Sequence, residues 1–180
     1  MMPDQFPELT TERFLLRQIT LADQQVVFKG LSDPQVIKYY GISYTSFEAT
    51  ADQMKFYDDL LKEETGIWWA ICFKDNPAEM IGACGFNYRH REHKKIEIGY
   101  WLLPEYFGKG IMSETIPEII RYAFTEMDNH RIEALVEDGN NNSTKLLKKL
   151  GFTYEGTLTD SEIKNGQFIS LQYWALLNKK

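Results

Sequence analysis

Three apolar runs stand one after another in the middle of the chain: Ile67-Trp68-Trp69-Ala70-Ile71-Cys72-Phe73, Met80-Ile81-Gly82-Ala83-Cys84-Gly85-Phe86 and Lys95-Ile96-Glu97-Ile98-Gly99-Tyr100-Trp101-Leu102-Leu103. Each is short, rich in β-branched and aromatic residues and bounded by polar turns, which predicts strands. Strands joined by such connections pair with their neighbours, so the middle of the chain reads as an antiparallel meander. Any fold for this sequence is built around that sheet.

What flanks the meander has a helical period. On the N-terminal side, Phe14-Leu15-Leu16-Arg17-Gln18-Ile19 reads as a first strand. Thr20 with Asp23 three residues on is a capping pattern that leads into Val26, Val27, Phe28 and Leu31, a helix ending near Ser32. Asp33-Pro34 reads as the cap and first residue of a short helix reaching Tyr39-Tyr40 before Gly41. Thr45 and Glu48 repeat the capping pattern ahead of a longer helix with Phe47, Ala51, Met54, Tyr57, Leu60 and Leu61 on or near one face.

On the C-terminal side, Ile116, Ile119, Ile120, Ala123, Phe124 and Met127 mark an amphipathic helix, in which Pro117 should kink the backbone or shift its hydrogen bonding. Arg131-Ile132-Glu133-Ala134-Leu135-Val136 reads as a strand, Asp138-Gly139-Asn140-Asn141-Asn142 as a loop, and Ser143 as the cap of a short helix ending at Gly151. Phe152-Thr153-Tyr154-Glu155-Gly156 and the run Phe168 to Leu177 suggest a closing pair of strands around Lys164-Asn165-Gly166. With no repeat, linker or low-complexity tract, residues 1–180 read as a single α+β domain with a mixed sheet.

The segment Pro104-Glu105-Tyr106-Phe107-Gly108-Lys109-Gly110-Ile111-Met112-Ser113-Glu114 joins a strand run to a helical one. The first amides of a helix have no partner within it, and the peptide dipoles add partial positive charge there, so an anion fits. Gly108 and Gly110 remove the Cβ atoms that would hold a ligand off the backbone, and Lys109 adds a charge. Alone, the same residues also describe an ordinary glycine-rich turn.

Composition narrows the partners. A net charge of −6 and a pI near 5.2 argue against binding a nucleic-acid backbone and leave room for a basic partner such as a polyamine or a Lys/Arg-rich peptide. No stretch is long and apolar enough for a bilayer span or a signal peptide, so the expectation is a soluble cytoplasmic protein with no membrane partner. Cys72 and Cys84, on either side of a turn at Asn76-Pro77 and facing each other across a hairpin, read as reduced core thiols. His90 and His93 lie in a charged loop with no further ligands to complete a zinc set, so no metal is expected.

Four pieces in order carry a family resemblance: Thr11-Glu12-Arg13-Phe14-Leu15-Leu16-Arg17, Glu97-Ile98-Gly99-Tyr100-Trp101-Leu102, Phe107 to Glu114, and Asn140-x-x-Ser143 followed by Leu150-Gly151-Phe152. Together they resemble the GNAT acetyltransferase superfamily, in particular its RimJ/RimL-like branch, over nearly the whole chain. The resemblance implies the GNAT mixed, mostly antiparallel sheet, splayed between the family's fourth and fifth strands to form an acyl-CoA cleft. It also implies acetyl-CoA as co-substrate and an amine as acceptor. On this mapping Gly108, Lys109, Gly110, Ile111 and Met112 offer amides to the diphosphate, with Phe107 and Ser113 beside them. Trp101, Leu102 and Leu103 run along the pantetheine arm, and Asn140 and Ser143 lie near the pantetheine and the sulfur. Phe107 and Met112 depart from the family loop pattern. Leu147 stands where many members have a tyrosine that protonates the leaving thiolate, and Ser170 where the branch often has an aspartate. Ser143 is then the candidate donor, directly or through water, with a solvent-protonated thiolate as the alternative.

Acyl transfer needs a neutral amine, and a lysine-like amine with a pKa near ~10.4 is almost wholly protonated at neutral pH. Glu97, at a position where several members of the family carry a catalytic glutamate, is the candidate base if burial raises its pKa; otherwise it is a strand carboxylate paired with Lys94, Lys95 or Arg131. Amides near Leu102 are placed to face the oxyanion. The cysteines sit in apolar strands, which argues against an acyl-cysteine route. Trp68, Trp69, Tyr39, Tyr40 and Tyr88 read as core aromatics or as the lining of an acceptor pocket. The branch implies a protein N-terminal α-amine of ribosomal type as acceptor, with polyamines, aminoglycosides and other small amines as alternatives. A non-catalytic acyl-CoA-binding module is a second class, and the oligomeric state, monomer or homodimer, stays open.

Overall fold

In the computed structural model, which describes residues 5–179, the chain begins with β1 (Leu9–Thr10) and β2 (Phe14–Gln18), followed by α1 (Gln24–Ser32), α2 (Pro34–Ile37) and α3 (Ala51–Lys62). The meander is β3 (Ile67–Phe73), β4 (Asn76–His90) and β5 (Lys95–Leu102). Then come α4 (Ile111–Thr125), β6 (Arg131–Glu137) and α5 (Asn141–Lys149), and β7 (Thr153–Lys164) and β8 (Gln167–Leu177) close the chain.

All the strands join one eight-stranded sheet in the order β1-β2-β3-β4-β5-β6-β8-β7. Every pair is antiparallel except β5 with β6. One apolar layer, with Ile96, Ile98, Ile111, Ile116, Ile119, Ile132 and Leu147, lies between the sheet and the α4/α5 side. The other, with Val27, Leu31, Met54, Tyr57, Leu60, Trp68 and Trp101, fills the α1/α3 side. Strand β3 is buried from Ile67 to Cys72, which is why its run is apolar throughout instead of alternating. Strand β6 alternates buried and half-buried residues. Gly30 lets α1 sit directly on the Trp101 indole, since a Cβ there would lie 2.2 Å from the ring.

Several local expectations shift by a residue or two. The Thr20 amide donates to Asp23 Oδ2 at 2.8 Å, as the capping pattern requires, but the first turn it starts is 3-10, and α1 begins at Gln24. Asp33 caps α2 by accepting the Gln35 amide at 2.8 Å, and the helix stops at Ile37, short of Tyr39. Before α3 it is Ser46, not Thr45, whose hydroxyl accepts an amide, that of Ala49 at 3.2 Å. The β3–β4 turn is at Lys74 and Asp75, two residues before Asn76-Pro77. Consequently Cys72 lies opposite Met80 and Cys84 opposite Trp69. The two thiols are buried, free and in opposite layers of the core, so they do not face each other. Burial pushes Cys72 up to about 11 and Cys84 higher, which keeps both protonated. His90 and His93 are exposed and stacked, ring centroids 4.2 Å apart.

Helix α4 runs unbroken through Pro117, whose ring faces solvent. Helix α5 starts one turn earlier than its serine suggested: Asn140 is the cap, its side chain accepting the Ser143 amide at 3.2 Å, and Ser143 lies within the first turn. Strand β7 continues well past Gly156, through a register shift between Leu158 and Glu162, to a tight turn at Asn165-Gly166 where both residues have positive φ. Ser170 serves that irregularity, its Oγ accepting the Asp160 amide at 3.0 Å.

Candidate active site

The parallel ladder between β5 and β6 holds for Lys95–Arg131, Ile96–Ile132 and Glu97–Glu133 and then stops. On its other edge β5 stays paired with β4 as far as Leu102, opposite Gly82. Beyond Glu97, then, β5 has a strand on one side only, and a slot opens between it and β6. The Leu103 amide donates to the Ile81 carbonyl at 3.0 Å. By the two-residue period of a strand, Trp101 also turns its backbone toward β4, whereas Ile98, Tyr100 and Leu102 turn theirs into the slot. Of the predicted trio Trp101, Leu102 and Leu103, only Leu102 therefore has backbone groups free for a ligand. The side chains of all three are buried.

At the slot's end, residues Gly108 to Ser113 form a cradle of amides. Gly108 and Gly110 have φ of +72° and +75°, and Gly110 caps α4 in the left-handed conformation with no side chain covering the helix start. The first amide of the segment engaged by a backbone carbonyl is that of Glu114, which donates to Gly110 at 3.2 Å. Among the described residues, the amides of Gly108, Lys109, Gly110, Ile111, Met112 and Ser113 have no recorded acceptor. Phe107 is different: its amide donates to Pro104 at 3.0 Å, and its ring is exposed, so it offers no donor to an anion. Ile111 gives only its amide, since its side chain is in the core.

The cradle is braced from far away in sequence. Arg13 Nε donates to Glu114 Oε2 at 2.7 Å, its Nη2 to the Lys109 carbonyl at 3.3 Å, and Thr11 Oγ1 to Glu114 Oε1 at 2.6 Å. Partial burial opposes ionisation of Glu114, but the hydrogen bonds from Thr11 and Arg13 outweigh it and hold the carboxyl below its usual range. Free amides and left-handed glycines suit a diphosphate, and the Arg13–Glu114 pair holds the loop in that shape. Neither Arg13 nor Thr11 stood out as a site residue in the sequence, because the contacts span about a hundred positions.

Glu97 is half-buried on β5, opposite Asn87 of β4 and Glu133 of β6. The cations that were candidates to pair with it are engaged elsewhere: Lys94 with Asp128, Lys95 with Glu133, and Arg131 with Glu133 and Glu155. Desolvation first, then the charges of Glu133 and Glu162, push Glu97 up to about 7, against a small opposing pull from Lys95. This carboxyl can take up a proton near neutral pH.

Ser143 faces the other way. Its Oγ lies 2.6 Å from the Tyr100 hydroxyl, a bond that links β5 to α5 across the open slot. Tyr100 packs in the α4/α5 layer, and by alternation Glu97 points to the α1/α3 side, so the structure sets the two candidate groups on opposite faces of β5. Tyr100 was not among the candidates. Its signal was present but weak, a polar-tipped aromatic three residues beyond Glu97. Leu147 is wholly buried.

Of the aromatics, Trp68 and Trp69 are core residues and Tyr88 is 70% exposed. Trp68 lies across Gly85 and Gly99 and donates to Asn87 Oδ1 at 2.6 Å, which fixes the residue beside Glu97. Trp68 lines a cleft of about 510 Å³ between residues 18–21 and α3, and Tyr40 lines another, of about 410 Å³, between the end of α2 and the β7–β8 turn. Lys164 bridges that cleft, donating to the Lys38 carbonyl at 2.6 Å and to Glu137 at 2.7 Å. Among the described residues no group of His, Cys, Asp and Glu is placed to hold a metal ion, and no helix is long and apolar enough to cross a membrane.

A profile of the Acetyltransferase (GNAT) domain matches residues 13–153. An uncharacterized N-acetyltransferase p20 of Bacillus licheniformis is 39% identical, over 96% of this chain and 97% of its own length. Among solved structures, an acetyl transferase that modifies the N-terminal serine of ribosomal protein L7/L12 in Salmonella typhimurium superposes with a TM-score of 0.84 at 22% identity, over 94% of this chain and 97% of that one. A spermidine N-acetyltransferase of Vibrio cholerae in complex with CoA and spermine gives 0.80 at 21% identity, over 91% and 95%. At these identities the two structures establish the fold, which serves different acceptors in the two proteins.

Proposed function

We propose, from the premise that this chain belongs to the GNAT acetyltransferase family and is an N-acetyltransferase, that it moves the acetyl group of acetyl-CoA to the α-amine of a protein N-terminus. Acetyl-CoA supplies an activated acyl carbon and a thiolate leaving group. The amides from Gly108 to Ser113 hold its diphosphate, and the slot-facing backbone of Tyr100 and Leu102 lies beside the pantetheine. Glu97 accepts the proton of the attacking amine from the opposite face of β5. Ser143 donates a hydrogen bond to the sulfur as charge develops there, and Asn140 fixes the turn that carries it.

The observation behind the mechanism is the half-buried Glu97, whose candidate partners are engaged elsewhere and whose carboxyl is pushed up by burial; the choice of acceptor follows from the amines' own titration. A protein α-amine titrates near 7.7–8.0, so transfer to such a base is uphill by about one unit; a lysine-like or polyamine amine near 10.4 makes it more than about three. Each unit is worth about 1.4 kcal/mol, a handicap of some two orders of magnitude in rate for the more basic amine.

Three acceptors compared at equal concentration test the reading: a lysine-free peptide with a free N-terminus, an N-blocked peptide with one lysine, and spermidine. The expected order in kcat/KM places the free N-terminus first. Faster transfer to spermidine would assign the site to polyamines. Stabilisation by CoA with no thiol released from any acceptor would make the protein a binding module.

A further inference from the structure

The hydrogen bond between Tyr100 and Ser143 is a contact that the roles assigned so far leave without a purpose. We infer that Tyr100 is a positioning residue for the leaving thiolate: by donating its phenolic hydrogen to Ser143 Oγ, it leaves the serine's own hydrogen free to point into the slot between β5 and β6, toward the sulfur. The inference rests on the reading of Ser143 given above and adds to it the residue that orients the hydroxyl.

A serine hydroxyl has one hydrogen and two lone pairs. Within the first turn of a helix it can turn that hydrogen back to a nearby carbonyl, where it does no chemistry. At 2.6 Å the two hydroxyls share one hydrogen, and when the phenol gives it, one of the serine oxygen's acceptor directions is taken. Burial pushes the phenol up to about 12, with the bond to Ser143 pulling the other way, so it holds its hydrogen at any working pH, and a phenol, more acidic than an aliphatic hydroxyl, is the better donor of the two. The serine backbone is fixed separately, by its amide bond to Asn140 Oδ1 at 3.2 Å. Backbone position and hydroxyl direction thus have different partners. The bond also ties β5, beyond the point where the β5–β6 ladder has ended, to the first turn of α5. Leu147, fully buried one turn further along α5, provides no hydroxyl of its own.

The chemistry asked of the pair is a hydrogen bond. As the carbon–sulfur bond breaks with its electrons on sulfur, Ser143 donates to the sulfur while accepting from Tyr100, and neither side chain ends with a changed proton count. Solvent supplies the thiol proton afterwards.

The test is the pKa of the CoA thiol when bound, read from the ultraviolet absorption of the thiolate, in wild type, Tyr100→Phe, Ser143→Ala and the double variant. Affinity for desulfo-CoA and the melting temperature are measured alongside. The bound thiol pKa should be lowest in wild type and roughly half a unit to one unit higher in each single variant, and turnover should fall roughly threefold to tenfold, the effect of one hydrogen bond. The double variant should be no worse than Ser143→Ala, and desulfo-CoA affinity should not change. If Ser143→Ala shifts the thiol and Tyr100→Phe does not, the role of Tyr100 fails while that of Ser143 stands. If neither shifts it, both fall. Equal losses of CoA and desulfo-CoA affinity in Tyr100→Phe would reduce the tyrosine to a packing residue.

Discussion

A single carboxyl sets the chemistry at the residue scale. Glu97→Gln is expected to lower turnover about a hundredfold at neutral pH, the usual size of a lost general base, with CoA affinity unchanged by calorimetry. In wild type, kcat at saturating amine should rise with pH through about 7 and then level, since the carboxylate is the active form. The same group works against folding. Its pKa is raised from 4.5 to about 7, so between those values the unfolded chain has released a proton that the native protein still holds, and stability falls as pH rises. Glu97→Gln removes that term: denaturant titration should find the variant as stable as wild type at pH 4, apart from the loss of other contacts, and more stable by up to about 3 kcal/mol at pH 8. Glu97 was legible as a candidate because it lies on the strand before the glycine loop, where the family resemblance places a glutamate. Its isolation was not, because that depends on where Lys94, Lys95 and Arg131 turn their charges, to Asp128, Glu133 and Glu155. Tyr100 was hidden for a similar reason, its partner lying 43 positions away.

At the scale of elements, the loop before α4 owes its shape to the backbone conformation of its glycines more than to space. An added Cβ at Gly108 meets nothing within 4 Å, and at Gly110 only Arg13 at 3.9 Å. Both residues are left-handed, so alanine there costs about 1 kcal/mol and tends to turn the amides away from the anion. Gly110→Ala should therefore raise the KM for acetyl-CoA several-fold and leave the pH midpoint near 7 in place. A shifted midpoint would mean that the cradle and Glu97 are not independent. Gly99 is the opposite case: its Cβ would lie 2.8 Å from the Trp68 ring, so Gly99→Ala should destabilise by about 1–3 kcal/mol in urea titration through overpacking, and disturb the Asn87 bond beside Glu97. Element types and order could be read from periodicity, and the errors gathered at caps and turns. Thr45 and Ser46, or Asn140 and Ser143, are equally good cap residues, and tertiary placement decides between them. The length of β7 was invisible because its far half is polar and exposed on both faces.

Over the whole molecule, the slot is a gap in a sheet that is otherwise continuous from β1 to β7. A ligand running beside Ile98 to Leu102 fills the space where a ladder would be, so binding should couple to global stability. At a hundredfold excess over its Kd, CoA is expected to stabilise by about 2.7 kcal/mol, which is roughly 5–10 °C in melting temperature for a chain of this size. Differential scanning fluorimetry checks it. The splay itself could be inferred only through the family resemblance, since β5 and β6 both read as ordinary strands and nothing in either marks where pairing ends.

Glu97 and Ser143 point to opposite faces of β5, and that has a kinetic consequence. A protein with one entrance must empty it before the second substrate arrives. On the proposed mechanism each substrate has its own approach, and the strand between them is the meeting place. Initial-rate plots should therefore intersect to the left of the axis, and free CoA should compete with acetyl-CoA but not with the amine. Parallel lines would mean that the acetyl group rests on the protein between the two substrates.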